Sequence, residues 1–579
     1  MRAGTHVAPP SALMNLLTKS SLGLLPFAAI AAACSSPSSP AKAHAVSAGA
    51  AAIPNSSGPT RFAQSEERAR TVHAALHRRA AVVADAAPDA GGVLQPPHLC
   101  RQPNGPVPER YKGLVKVFES DLANTPPGAA MAIIEHGRLG FAYAGGTKGW
   151  NSNEPVCPSS LFRIGSMTKA LTATAFLKLV DQGKASLDDR LIDVAPDVTL
   201  PAGPEFSSLT IRQLLSQQSG VSDVTQDWPS FAGPTDDAYL SQYLTGPDFA
   251  QQVYWMNPPG SFFYYSNTNF MLAGLAVERV SGIPYPDAMR RFVTGPLGMD
   301  RTMFRPPLVV ADGDYTNGSS TNPDGTPLDI SPLGTDNAAV RPAGMEFTSV
   351  LDFAKFAEFV YGGNDAVMSR RAWRKLHQPE VNTDTNGDVD SYGLGLYVEH
   401  GTDAGPGAYY PGKRVDHTGA QAGWVSYWDL QIDLGFGFVI FQNTDGGAGF
   451  DNTLLYALRN LAGITPAAEP PSVAPVTSRF SSYAGSYNDP YNVGRVIVTD
   501  ISGALTVAMP DLDAAGVPYD TALVPTTRDN LTMTIEGFPF SCTFVKDASG
   551  SYRWMRGMQV FVAERDAADA GAPADASAD

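Results

Sequence analysis

Two pairs of apolar runs, set at opposite ends of one long region, constrain the fold of this chain most. Ala129–Ile134 and Leu139–Ala144 flank His136-Gly137 and read as a β-hairpin. Far downstream, Gly423–Leu430 and Gly435–Gln442 read as two more strands. Between the pairs the apolar spacing turns helical, at Met167–Gln182, Ile211–Gln217, Phe270–Val280 and Val350–Tyr361. Val115, Phe118 and Leu122 mark one face of a further helix ahead of the hairpin. Strands that open and close a region, with helices between, are most simply buried as one antiparallel sheet. The expected class is therefore α+β, an antiparallel sheet flanked by helices plus a mainly helical lobe.

The flanks of that region are of a different kind. Residues 1–33 carry Lys19, the short apolar run Leu22–Ala33 and small residues at its end, the order of a signal peptide. Cys34 follows at once, so Ile30-Ala31-Ala32-Ala33-Cys34 resembles a bacterial lipoprotein cleavage site, with Ala31 where Leu is usual. Cleavage near Ala33 with Cys34 incidental is the alternative. Both readings export the protein to the cell envelope, periplasmic or lipid-anchored, the first with a membrane tether through Cys34. Residues 34–105 are rich in Ala, Ser and Pro and read as a low-complexity tether. The main domain is expected over 106–464 and a Pro/Ala linker over 465–478. Short alternating runs at Arg495–Thr499, Ala504–Ala508, Leu531–Ile535, Cys542–Val545 and Gln559–Ala563 point to a small all-β domain over 479–565. The acidic, Ala-rich stretch 566–579 reads as a disordered tail.

A net charge of −16 argues against nucleic acid as a partner, because phosphate binding needs a basic surface. The cysteines and histidines lack the spacing of a zinc site, so neither a metal nor another cofactor is expected. Cys100 and Cys157 could pair in an oxidising compartment, leaving Cys542 as a small buried hydrophobe.

Three short stretches carry the chemistry. Phe162-Arg163-Ile164-Gly165-Ser166-Met167-Thr168-Lys169 leads into an apolar helix, and Ser166 and Lys169, three apart, share one face of it. A serine hydroxyl needs a base or cation beside it, and a lysine out of water can supply either. Backbone N–H groups at the helix start can face a developing oxyanion. Spacing alone is weak: Ser39-Pro40-Ala41-Lys42 has it too, among prolines. The second stretch runs from Pro259 through Tyr265-Ser266-Asn267-Thr268-Asn269 into a helix. Tyr265 could shuttle protons if a cation lowers its pKa, and Asn267 could hold a substrate amide or the lysine. Tyr315-Thr316-Asn317 is a competing copy without a helix behind it. The third is His417-Thr418-Gly419-Ala420, just before a strand pattern. There His417 could be a partly charged anchor for a substrate carboxylate, and the Ala420 N–H could lie at a sheet edge beside Ser166.

In this order the three stretches resemble the serine β-lactamase and penicillin-recognising enzyme family, in its class C-like branch with D-peptidases and carboxylesterases. Leu214-Leu215-Ser216-Gln217-Gln218-Ser219-Gly220, Gly295-Pro296-Leu297-Gly298-Met299 and Pro342-Ala343-Gly344 fit it too. Tyr483-Ala484-Gly485-Ser486-Tyr487 resembles the start of the lipocalin-like β domain often fused to this branch. The resemblance implies a β-lactamase/transpeptidase-like fold, with Ser166 as acylated nucleophile, Lys169 as activator and Tyr265 as proton relay. Asn267, His417, Thr418 and Gly419 would bind substrate, and the N–H groups of Ser166 and Ala420 would form the oxyanion hole. Its β-lactamases usually carry Lys where His417 stands, so the residue tilts the expectation toward a hydrolase of D-amino-acid peptides, amides or esters. A β-lactamase, a carboxylesterase and a non-catalytic binding protein are the alternatives. The expected partner is a small-molecule or peptide substrate.

Overall fold

A computed structural model describes residues 100–228, 231–322, 325–383, 390–403, 409–464, 475–557 and 560–567. The signal segment, Cys34, nearly all of the tether and most of the linker and acidic tail lie outside them.

The hairpin forms as read: β1 (Gly128–Glu135) and β2 (Arg138–Gly146) are joined through His136 and Gly137. Both turn residues have positive φ, the two-residue geometry whose twist matches that of the strands. The main sheet also contains β3 (Val381–Asn382), β4 (Asp390–Tyr392), β5 (Tyr397–Asp403), β6 (Tyr409–Gln421), β7 (Trp424–Gln431) and β8 (Phe436–Gln442). Its order is β2-β1-β8-β7-β6-β5-β4-β3, antiparallel throughout. The two ends of the region thus meet side by side, Ala129 opposite Gln442.

Both faces of this sheet are covered. Ala130, Ala132 and Ile134 point into the core shared with the helical lobe. Ala129, Met131 and Ile133 pack with residues of α1 (Lys112–Ala123) and of a helix near the end of the domain, Asp451–Asn460. Burial on both sides is why these strands read as unbroken apolar runs. The lobe contains α2 (Thr168–Asp181), which falls within the run Met167–Gln182, and α3 (Asn267–Ser281) and α4 (Val350–Gly362), which extend the runs read from the sequence.

Strands β5 and β6 were not legible, because they carry charge into the interior. Arg414 on β6 is buried and gives Nε–H to Glu399 on β5 at 2.7 Å, while its Nη1 lies 3.4 Å from Asp429 on β7. Cross-strand pairing makes a polar stretch compatible with burial. The cysteines Cys100 and Cys157 are joined in a disulfide, and Cys542 is buried.

The C-terminal domain is a closed antiparallel barrel of eight strands, from Gly485–Asp489 to Phe561–Arg565. Buried side chains including Tyr487, Val496, Leu531, Met533, Phe544 and Met555 fill it. Ala522–Thr527 and Tyr552–Gly557 are strands that the runs above did not include; Pro525 interrupts one, and Arg553 and Arg556 the other.

Candidate active site

Ser166 lies in the 3-10 turn Gly165–Met167 that opens into α2, the one residue from Leu161 to Thr172 that is not buried. This turn is seated against β6 at a backbone-to-backbone approach. Strand β5 pairs with β6 only as far as Asp416 opposite Tyr397, and the Ile164–Gly165 segment meets the continuing strand. A Cβ on Gly165, which has φ +50°, would lie 2.6 Å from the Ala420 nitrogen. On Gly419 it would meet the Ile164 carbonyl oxygen at 2.0 Å. Neither site tolerates a side chain, and the glycines let the Ala420 amide come up beside the serine turn.

Lys169, one turn along α2, is completely buried. Its Nζ donates to Ser166 Oγ, Asn267 Oδ1 and the Ala343 carbonyl, each at 2.8 Å. Burial pushes its pKa down to about 7, against the opposing pull of Asp223. Near neutral pH the amine is therefore divided between acid and base forms. The Tyr265 ring lies 4.8 Å from Nζ, and the Ser166 side chain acts on its hydroxyl. Contrary to the expectation that a cation lowers it, burial raises the Tyr265 pKa, so the phenol keeps its proton. Ser166, Lys169, Tyr265 and Asn267 are thus brought together around one ammonium.

Asn267 is the first residue of α3, and its amide is fixed on both sides. Nδ2 donates to Asp223 Oδ2 at 3.2 Å and to Thr225 Oγ1 at 3.0 Å, which turns Oδ1 toward Lys169. Asp223 also accepts the Asn267 backbone N–H at 3.1 Å, capping a helix whose own N-cap residue, Ser266, makes no side-chain cap. Behind it, Gln217 accepts from the Ser266 N–H and from Asn269 Nδ2. Asp223, Thr225, Gln217 and the Ala343 carbonyl were not singled out as site residues in the sequence. Leu214–Gly220 and Pro342–Gly344 were the only signals near them.

The third stretch differs from the sequence reading. His417-Thr418-Gly419-Ala420 lies within β6, and the turn comes after it, at Ala422-Gly423. His417 is buried among Tyr265, Tyr392 and Tyr397, with ring centroids 5.4–6.2 Å away. Nδ1 contacts the Thr418 carbonyl at 2.5 Å, which places the ring proton there, and Nε2 faces the Tyr392 hydroxyl at 3.3 Å. Burial, and then the neighbouring Lys169, push its pKa down to about 3. The partly charged anchor expected from sequence is a neutral imidazole. Thr418 is half-buried opposite Tyr427. The competing copy is placed elsewhere: Thr316 bonds Leu161 and Trp424, and Asn317 bonds Lys148.

The profile of the Beta-lactamase family matches residues 115–462. Penicillin-binding protein 4 of Amycolatopsis lactamdurans is 28% identical over 380 residues, 62% of this chain and 94% of that protein. Among solved structures, the octameric penicillin-binding protein homologue from Pyrococcus abyssi aligns with a TM-score of 0.51 at 21% identity, over 78% of this chain and 99% of that one. The D-amino acid amidase from Ochrobactrum anthropi SV3 aligns with a TM-score of 0.50 at 21% identity, over 62% and 99%. At these identities the structural likeness speaks for the fold.

Proposed function

Because the chain belongs to the Beta-lactamase family, we propose that it is a serine hydrolase working through an acyl-enzyme on Ser166. The observation that carries this is Lys169: buried, 2.8 Å from Ser166 Oγ and with a pKa near 7. Neutral Lys169 takes the hydroxyl proton as Oγ attacks the substrate carbonyl carbon. The developing oxyanion faces the N–H groups of Ser166 and Ala420. Tyr265, a protonated phenol beside Ser166, relays the proton to the departing nitrogen or oxygen. Water then releases the acyl group by the reverse path.

The substrate is a D-amino-acid amide, peptide or ester. The likeness to the D-amino acid amidase is what supports this class; the neutral His417 adds only that no ion pair grips a substrate carboxylate at that position.

Intact-protein mass after adding a penicillin, with Ser166→Ala alongside, tests the reading. A persistent adduct on the wild type alone supports a penicillin-recognising acyl-enzyme. Water gained by the drug, without an adduct, makes it a β-lactamase. Hydrolysis of D-aminoacyl amides or esters that survives Ser166→Ala overturns the nucleophile.

A further inference from the structure

The stretch leading to Tyr265 alternates between two neighbours. Phe263 and Tyr265 face the site, packing with Tyr392 and Tyr397. Phe262 and Tyr264 face the other way, into a cluster with Trp554 and Val562 of the C-terminal barrel. Phe262 and Trp554 stand 5.3 Å apart between ring centroids. This extended segment is therefore held between the barrel and the catalytic pocket.

One barrel side chain fastens its backbone. Arg556, on strand Tyr552–Gly557, is buried at the junction. Its Nη1 donates to the Phe263 carbonyl at 2.5 Å, and its Nη2 donates to the Thr383 carbonyl at 2.8 Å. Nη2 also reaches Thr543 Oγ1, on the adjacent barrel strand, at 3.1 Å. Thr383 in turn donates from N and Oγ1 to the Asp390 carbonyl, on the strand that carries Tyr392. A rigid guanidinium thus joins the backbone two residues before Tyr265 to the backbone beside the His417 cluster. A second barrel contact backs the other half of the site. Tyr254 stacks on Tyr491 at 3.7 Å, while its backbone exchanges hydrogen bonds with Ser222, the neighbour of Asp223.

We propose that the barrel completes the catalytic site, with Arg556 as a positioning residue that fixes the Tyr265 hydroxyl over Ser166. This rests on the proton-relay role given to Tyr265 above. Arg556 touches none of the reacting groups and acts through the Phe263 carbonyl. Its loss should slow the step that needs a proton delivered to the leaving group more than the attack by Ser166.

The test uses the full chain with Arg556→Met and Arg556→Lys, on a D-amino-acid p-nitroanilide and the matching p-nitrophenyl ester. The anilide needs its leaving nitrogen protonated, whereas nitrophenolate departs unaided. With Arg556→Met, kcat on the anilide should fall about 10- to 100-fold, by the cost of misplacing a catalytic group. The ester should fall much less, KM should change little, and Arg556→Lys should recover part of the loss. Adding Arg556→Met to Tyr265→Phe should bring little further loss on the anilide. Amide hydrogen exchange over 262–266 should quicken in Arg556→Met whether or not either substrate is turned over. Equal losses on both substrates, additive losses in the double variant, or unchanged exchange would overturn the proposal. Failure of the serine-hydrolase reading would show separately, as turnover that survives Ser166→Ala.

Discussion

The Ser166–Lys169 turn and the Tyr265–Asn267 turn meet at one ammonium group but are held by opposite kinds of chemistry. The first is fixed by close packing: an apolar helix behind it and glycines at 165 and 419 that let backbone approach backbone. The second is fixed by polar satisfaction, through Gln217, Asp223 and Thr225, with the barrel closing it from outside. Packing lowers the Lys169 pKa by excluding water, and the polar network turns Asn267 Oδ1 toward the amine. The first turn should therefore fail when volume is added, and the second when a partner is removed.

The largest effect should come from the group both turns share. Lys169→Met should cost about a thousandfold or more in kcat/KM, the range of a lost general base. In the wild type kcat/KM should rise with pH to a plateau above an apparent pKa of about 7, as Lys169 loses its proton. A pH profile without that limb would assign the proton to another group. The linkage carries a sign for stability too. The folded pKa lies below the ordinary 10.5, so the unfolded chain binds the extra proton between about 7 and 10.5. Unfolding free energy should rise with pH across that window in the wild type relative to Lys169→Met.

Next in size, Gly419→Ala should lower kcat by about 100-fold, since its methyl must displace the Ile164 carbonyl and with it the serine turn. Retained activity would show that the serine turn does not depend on this close approach. Tyr265→Phe should cost about 100-fold on an amide and less on an activated ester. Tyr315→Phe should leave both rates unchanged, and equal effects would mean that the wrong copy of the motif carries the chemistry. A smaller loss should come from Asp223→Asn, about tenfold, a partial loss of alignment. Removing a charge that raises the Lys169 pKa should also move the acid limb to lower pH. A limb that stays in place would leave Asp223 a structural role only.

Four strands of the sheet were legible because β1 and β8 are apolar on both faces, β2 and β7 are largely apolar, and the hairpin turn announces itself. Ser166 and Lys169 were legible because they lie three residues apart on one helix, where spacing alone puts side chains together. Asp223 was not, because nothing in Val221-Ser222-Asp223 says that Asn267 will lie against it. His417 was found by its neighbours, yet its charge was misread. An imidazole in a solvated turn titrates near 6.5, whereas one enclosed by three tyrosines beside Lys169 does not. Strand β6 was hidden by Arg414 and Asp416: the burial of Arg414 depends on carboxylates supplied by β5 and β7, and that of Asp416 on the Arg414 guanidinium beside it.

By itself, then, the sequence determined what neighbours along the chain can decide: the helices and hairpin, the serine–lysine pair, and the division into a main and a small β domain. Those follow from periodicity and turn chemistry, which act over a few residues. Tertiary structure alone decided the protonation of Lys169 and His417, the partner of Asn267, and the seating of the barrel against Phe263. A pKa and a buried hydrogen bond depend on how much water is excluded and which distant groups arrive. Only the folded chain sets either one.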